Sequence, residues 1–165
     1  MANLGSGARL DTHSSRKANR GSLSVEMAFL APLLTIFLFG TLELGMMLKD
    51  VMVLNSAARE AARSAALGAT TADIAARANA AAATINTATV TKQLDYRTYS
   101  SGTWSAWTTL TTTGTTNVAP SGAQVRVILN YPHPLIAGRI FTSMLATNTT
   151  ANTTNLRATM IMMRE

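Results

Sequence analysis

The chain has 165 residues, of which 47% are hydrophobic and only 5% aromatic, and it contains no cysteine. These values fit one small domain with an appendage and an aliphatic core, and they exclude disulfide frameworks and thiolate metal sites. The formal net charge is +6, but four of the basic residues precede Gly21, and arginine-interleaved stacking aromatics are missing except near residues 96–99, so no nucleic-acid partner is predicted.

An apolar segment follows the basic leader. Residues 27–42 form an uncharged run, and beyond Glu43 the apolar character continues to Leu48. As a helix the whole stretch is about 33 Å long at roughly 1.5 Å per residue, which matches a hydrocarbon core of about 30 Å. The pattern predicts a transmembrane helix over residues 22–48. The alternative, a buried helix of a soluble protein, lacks other apolar segments that would surround it.

The charges around this segment predict its orientation. The basic residues lie before it in a short leader, residues 1–21, whereas Lys49 and Asp50 cancel each other directly after it. Because basic flanks stay in the cytoplasm, we expect one membrane pass with a cytoplasmic N-terminus and an exported C-terminal part. The lipid bilayer is therefore the first predicted partner.

Three residues inside the span affect how its helix forms and packs. Pro32 removes one backbone donor and predicts a kink or local melting between residues 28 and 32. Gly40 and Gly45 offer small surfaces where another helix can approach closely.

Two carboxylates stand where ionised side chains are costly, Glu26 at the start of the span and Glu43 near its far end. Such residues usually have a partner, and the alternative is that both lie in the headgroup regions. Gly21 follows the basic leader and Glu26 lies five residues later, a spacing that resembles the cleavage region of type IV prepilins. The resemblance implies cleavage between Gly21 and Ser22, after which Glu26 of one subunit pairs with the new amine of a neighbour and sets its register. We assign Glu43 to the same group of assembly residues.

The helical pattern continues beyond the span. Ala57, Ala61 and Ala65 repeat every four residues, and this smooth face is predicted to pack closely on a sheet or another helix. Gly68 is expected to end or bend the helix. A second helix is expected over about residues 72–83, capped by residues 71–73, so the helical extension covers residues 49–85.

Residues 86–165 have the composition of a small exported β-sheet domain. Strands are predicted over 88–99, 103–110, 124–131 and 156–163, with a loop over 111–122 and a short helix over 135–145. Pro132 and Pro134 are expected to end the third strand. Trp104 and Trp107 are three residues apart and are expected to face opposite sides of the second strand.

The stretch from residue 21 to 67 resembles the TadE-like family, minor pseudopilins of the tight adherence (Flp-type) pilus system. The matching residues are V-E at 25–26, Pro32, Gly40, Glu43, Gly45 and the block A-A-R-E-A-A-R at 57–63, which contains Arg59, Glu60 and Arg63. In the family a glycine more often stands at the position of Ala61.

The resemblance implies a specific architecture and set of partners. The fold is expected to be α+β, a long N-terminal transmembrane helix followed by a small antiparallel sheet, as in pseudopilins. The partners are expected to be a prepilin peptidase, other pilin or pseudopilin subunits and an inner-membrane assembly platform, in a hetero-oligomer. The location is the bacterial inner membrane, with a surface filament as a further destination.

No constellation of catalytic or cofactor-binding residues is recognised. His133 lies between two prolines and is interpreted as a turn residue, and neither it nor His13 has partners at metal-ligand spacing. The serines lack a nucleophile-elbow context, so no enzyme activity, metal or cofactor is predicted, and a secreted hydrolase is disfavoured. Two functions remain open: a pilus assembly component, and a membrane-tethered extracytoplasmic binding module that uses the hairpin at 104–110.

Overall fold

The computed structural model describes residues 18–136 and 152–165 of the chain. Its contacts divide the chain into two units, Met1–Thr41 and Leu42–Glu165. The elements are the helices α1 (Ala18–Ala66) and α2 (Thr71–Ala81), a 3₁₀ turn (Thr87–Thr89) and the strands β1 (Thr91–Arg97), β2 (Tyr99–Ser100), β3 (Thr103–Trp104), β4 (Thr108–Thr109), β5 (Thr112–Thr113), β6 (Thr116–Asn117), β7 (Gln124–Pro134) and β8 (Thr153–Met163). The predicted α+β architecture, a long N-terminal helix followed by an antiparallel sheet, is confirmed.

Helix α1 is 49 residues long and passes through Pro32 without a break. The predicted local melting near this proline is therefore wrong. A proline removes one backbone donor, and the helical turns on both sides of it are retained. The hydroxyl of Thr35 also donates to the carbonyl of Ala31 at 2.8 Å.

In the first unit the apolar side chains of α1 are exposed. Phe29 is 78% exposed, and Leu34 and Phe37 are each 64% exposed. An 18-residue window of the helix has a mean hydropathy of 1.9, and none of that window is buried. By length and composition, α1 is thus suited to be a single-pass membrane anchor.

The second unit is built on a four-stranded antiparallel sheet in the order β4-β1-β7-β8. Two small antiparallel pairs, β2–β3 and β5–β6, lie outside it. Alternate residues of the central strand, including Val125, Val127 and Leu129, are buried in the core together with the alanines of α1. The core is made of small and aliphatic side chains, as the low aromatic content predicts.

Gly68 ends α1 as predicted. Its φ is +86°, a conformation that side-chain-bearing residues rarely adopt. The N–H of Gly68 donates to the carbonyl oxygen of Ala65 at 3.1 Å, and the N–H of Ala69 donates to the carbonyl oxygen of Ser64 at 3.1 Å. This pair of bonds is a Schellman C-cap.

Two side chains from distant segments cover the same helix end. Nδ2 of Asn117 donates to the carbonyl oxygens of Ala65 and Ala69 at 2.9 and 3.0 Å. Nη1 of Arg164 donates to the carbonyl of Ala66 at 3.1 Å, where a cation also interacts favourably with the helix dipole. The C-terminal tail and the β5–β6 pair are therefore both fastened to α1.

Several predicted boundaries change in the structure. The second helix covers residues 71–81, and its N-cap is Thr70, whose side chain accepts from the N–H of Asp73. The predicted loop at 111–122 contains β5 and β6, and the final strand begins three residues earlier than predicted. The short helix predicted over 135–145 lies, beyond Ile136, outside the described residues.

Strand β7 includes Pro132 and Pro134 instead of ending before them. The neighbouring strand β1 reaches only Thr91, which pairs with Asn130. Beyond that point, among residues 18–136 and 152–165, β7 pairs on its β8 side alone, and prolines are tolerated at the edge of a sheet. The prediction that the prolines end this strand is therefore wrong.

The strand predicted over 103–110 is interrupted, so that its first part, β3, pairs with β2 and its second part, β4, pairs with β1. The turn between β2 and β3 contains Ser101 and Gly102, both at positive φ. No regular strand joins Trp104 to Trp107, so the alternation on which the prediction rests does not apply. The guanidinium of Arg97 instead lies over both rings.

Candidate functional site

Glu43 and Asp50 lie seven residues apart on α1, which is about two helical turns, and so share one face of the helix. Both belong to the second unit, and their exposed fractions are 8% and 6%. A buried ionised carboxylate is unfavourable unless it is paired and hydrogen-bonded. Each of these side chains therefore requires a polar partner.

His133 on β7 is that partner, and it is itself only 3% exposed. Its Nδ1 lies 2.8 Å from Oδ2 of Asp50, and its Nε2 lies 3.3 Å from Oε1 of Glu43. The backbone N–H of Ile136 donates to the other oxygen of Glu43 at 3.0 Å. One imidazole thus contacts two carboxylates that lie about two turns apart on α1. We call these three residues the histidine–carboxylate cluster.

The extension of β7 through its prolines places His133 in the cluster. Positions 125, 127, 129 and 131 of this strand are buried against the core, and residue 133 continues the same alternation. The ring of Tyr131 packs edge-on against His133 with centroids 6.4 Å apart. On the exposed side, Nζ of Lys49 lies 3.3 Å from the second oxygen of Asp50.

The roles of the two ring nitrogens of His133 as donor or acceptor depend on the tautomer of the ring. A neutral imidazole has one N–H and one lone pair, whereas an ionised carboxylate only accepts hydrogen bonds. Both contacts are hydrogen bonds only if the ring carries two protons or one carboxyl group carries one. The cluster therefore links α1 to β7 through polar side-chain contacts.

Metal binding is a poor alternative for this cluster. Its two carboxylates contact different ring nitrogens and so share no position for one ion. Across residues 18–136 and 152–165, no group of three or more His, Cys, Asp or Glu side chains is arranged to hold a metal.

The interpretation of His133 as a turn residue is wrong, since it is a buried strand residue. A signal for its role was present in the sequence, because His133 continues the alternation of Val125 to Tyr131 onto the buried face. A polar side chain on such a face calls for a polar partner. Of the residues predicted to have functional roles, the cluster contains only Glu43.

Five other predicted residues at the start of the span or within it are exposed, namely Gly21, Glu26, Pro32, Gly40 and Gly45. Gly21 lies in the first turn of α1, and Glu26 lies on the same helix with its side chain exposed. A Cβ added at Gly21, Gly40 or Gly45 would meet no atom within 4 Å. These three glycines therefore have open space on the surface that the isolated chain presents.

The alanine face of α1 is fully buried: Ala57, Ala61 and Ala65 are each 0% exposed. They form part of the core cluster shared with the sheet. Small side chains at these positions let the helix backbone lie close to its neighbours.

The charged residues of the same block lie toward solvent. Arg59 and Arg63 are exposed, and Glu60 is half-buried. Oε1 of Glu60 lies 3.6 Å from Nη1 of Arg77 on α2. The block therefore links α1 to α2 through an exposed ion pair of small energetic value.

Residues 21–63 match the model of a family described as TadE-like protein. The match covers the apolar part of α1 and the block at 57–63, and it includes both carboxylates of the histidine–carboxylate cluster. His133 lies outside it. Comparison with curated proteins and with solved structures found no match.

Proposed function

We propose that this chain, whose residues 21–63 belong to the TadE-like protein family, is a minor pseudopilin. Family membership implies a structural component associated with the tight adherence pilus and not an enzyme. The finer proposal is that the chain is processed by a prepilin peptidase and takes part in assembling the pilus or a related secretion system.

One observation carries the proposal: α1 is both the apolar anchor and a core element of the folded domain. Its first part exposes a long apolar surface, and its last turns bury Ala57, Ala61 and Ala65 beside the sheet. One helix thus contributes both the apolar surface that suits a membrane anchor and part of the core of the second unit.

The proposed processing site is the bond between Gly21 and Ser22. Gly21 is exposed, and no atom would meet an added Cβ there within 4 Å. Because these residues lie in the first turns of α1, and because a peptidase cleft binds extended backbone, the start of the helix must unwind for cleavage. After cleavage, the exposed carboxylate of Glu26 is free to pair with the new amine of a neighbouring subunit.

The proposed organisation follows from this site. The leader, residues 1–21, lies in the cytoplasm, and the predicted span, residues 22–48, crosses the inner membrane up to about Glu43, because Glu43 contacts His133 of the exported domain. The helical extension at 49–85 and the sheet domain at 86–165 are exported. Partners are the prepilin peptidase, other pilin or pseudopilin subunits and the inner-membrane assembly platform, in a hetero-oligomer.

Deletion of the gene in the native host, followed by complementation, tests this function. We expect the deletion to reduce surface filaments counted by electron microscopy, and the full chain to restore them. Glu26→Gln should fail to restore them at an unchanged level of membrane-bound protein. Glu60→Gln is the matched control, because this carboxylate already has Arg77 as its partner. Unchanged filaments in the deletion strain would contradict the proposal.

A membrane-tethered binding module is the second candidate function. It is favoured by the partly exposed tryptophans near the β2–β3 pair, which the core does not use. This candidate predicts that an unrelated transmembrane helix can replace residues 22–41, which leaves Glu43 in place, without loss of binding. The pseudopilin proposal predicts loss of assembly.

A further inference from the structure

A stack of aromatic and arginine side chains lies on the second unit, outside its core. The guanidinium of Arg97 lies over the rings of Trp104 and Trp107, with its carbon 5.0 and 4.5 Å from their centroids. The guanidinium of Arg126 lies over Trp107 at 4.1 Å. Tyr99 packs against Trp104 with centroids 5.1 Å apart. We call these five residues the aromatic–arginine ladder.

The ladder is held in place from the sheet. Nε of Arg97 donates to Oε1 of Gln124 at 2.8 Å, and Nε and Nη2 of Arg126 donate to Oδ2 of Asp95 at 3.2 and 2.5 Å. In the described part of the chain, the terminal nitrogens of Arg97 have no hydrogen-bond partner. A fixed guanidinium with free N–H groups is preorganised for a carboxylate, which arginine binds in a bidentate fashion.

The register of the sheet continues this surface onto β8. Gln124 pairs with Met163, and Arg126 pairs with Ile161. These two β8 side chains are 53% and 44% exposed. The ladder therefore borders exposed apolar side chains on the face of the sheet opposite the core.

The composition of the ladder points to recognition. Trp104 and Trp107 are the only tryptophans of the chain, and neither belongs to a core that is filled mainly by Ala, Val and Leu. Tyrosine, tryptophan and arginine are the residues most enriched at binding hot spots. The geometry disfavours a stacked ligand, because the guanidinium groups of Arg97 and Arg126 already lie over the Trp107 ring. A stacked sugar or nucleobase needs a free ring face.

Most acidic residues of the second unit have partners elsewhere. Asp95 binds Arg126, Glu60 lies beside Arg77, and Asp73 accepts from Thr70. The carboxylates of the histidine–carboxylate cluster are buried. Among the described residues of this unit, Glu165 is the exception, an exposed carboxylate. The second unit of another copy therefore offers one such carboxylate and not an acidic segment.

We propose that the aromatic–arginine ladder is a docking surface for an acidic segment of a different protein. A carboxylate of that segment binds the terminal nitrogens of Arg97, and a neighbouring apolar side chain lies against Ile161 and Met163. The inference does not depend on the pilus function, since it rests on the contacts of the second unit alone.

The test is a site-specific crosslink made by the full chain in membranes of its native host. A photoreactive benzoylphenylalanine replaces Tyr99, which is 58% exposed, and the captured peptide is identified by mass spectrometry. We expect one defined segment with at least two carboxylates. The crosslink should be lost with Arg97→Gln and retained with the matched control Arg77→Gln, an exposed arginine on α2.

A synthetic peptide of the captured sequence then measures the affinity. Since both tryptophans lie in the ladder, intrinsic fluorescence of the full chain in nanodiscs reports binding at this site directly. Arg97→Gln should weaken binding at least about tenfold, as expected for a hot-spot arginine, while Arg77→Gln changes it less than about twofold.

Four results would overturn the inference. They are no crosslink at residue 99, a captured segment without carboxylates, a captured polysaccharide, and an affinity that Arg97→Gln leaves unchanged. The crosslink and the binding curve do not depend on filaments. A failure of filament assembly would therefore contradict the proposed function and leave this inference unaffected.

Discussion

Nδ1 of His133 lies 2.8 Å from Oδ2 of Asp50, although 83 residues separate the two in the chain. The same ring reaches Glu43 through its other nitrogen. The strand that carries His133 is thereby joined to α1 just where its continuous apolar run ends. These contacts with His133 explain how the carboxylates of Glu43 and Asp50 are buried in a region of the helix that is otherwise rich in apolar residues.

Removal of the histidine should destabilise the domain strongly. His133→Ala removes the imidazole that both buried carboxylates contact, and loss of one partner from a buried polar group typically costs about 1–3 kcal/mol. The free energy of unfolding of the full chain in detergent micelles measures the effect. Lys49→Ala is the matched control, because Lys49 is an exposed partner of the same Asp50 and should cost no more than about 1 kcal/mol. Addition of Asp50→Asn to His133→Ala should recover part of the loss, and equal stabilities of His133→Ala and wild type would contradict the account.

The C-cap of α1 should tolerate no side chain at Gly68. Its φ is positive, and a Cβ there would meet the guanidinium of Arg164. Gly114 also has a positive φ, but it has open space around it. We expect Gly114→Ala to cost about 1–2 kcal/mol for the backbone conformation alone, and Gly68→Ala to cost clearly more. Thermal unfolding of the two variants measures both losses of stability. Equal losses for Gly68→Ala and Gly114→Ala would show that the Arg164 side chain moves away without cost.

The alanine face of α1 should accept a smaller side chain and reject a larger one. Ala61 is fully buried, so Ala61→Leu forces extra methylene groups into a close-packed contact at a cost of typically 1–3 kcal/mol. Ala61→Gly should cost about 1 kcal/mol through lower helix propensity. Denaturant unfolding of both variants provides the comparison. If the leucine variant were the more stable of the two, the close approach of α1 to its neighbours would be refuted.

The glycines of the span should affect assembly without affecting the fold. An added Cβ at Gly40 meets nothing within 4 Å, so Gly40→Ile should leave the unfolding free energy of the second unit unchanged within about 0.5 kcal/mol. If a partner helix packs at this point, the same variant should lose co-purification with the other subunits. Leu38→Ile is the control, because it keeps a large exposed side chain large. Full co-purification of Gly40→Ile would exclude a helix contact at this glycine.

The sequence predicted those parts of the fold that depend on local pattern. The apolar run to Leu48 and the four-residue alanine repeat indicated α1, and Gly68 ends it as expected. The alternation of Val125, Val127 and Leu129 likewise indicated the central strand. In each case burial on one face is encoded by neighbouring residues, so the pattern is visible without knowledge of the partners.

Features that depend on distant partners were not predicted. Pro132 and Pro134 read as strand breakers, but whether a proline is tolerated depends on where β1 stops. His133 was therefore predicted to be a turn residue, and its contact with Glu43 was not predicted. The two tryptophans were assigned to opposite faces because the break between β3 and β4, which brings both to Arg97, depends on pairing with two different strands.

The N-terminal residue of the protein, purified from membranes of its native host and identified together with its intact mass, tests the central claim most directly. Processing by a prepilin peptidase predicts a chain that begins at Ser22 and lacks the leader, with the full-length mass restored in a strain without the peptidase. A mature chain that begins at Met1 while the peptidase is active would contradict processing as a pseudopilin and would favour a plain membrane-tethered binding module.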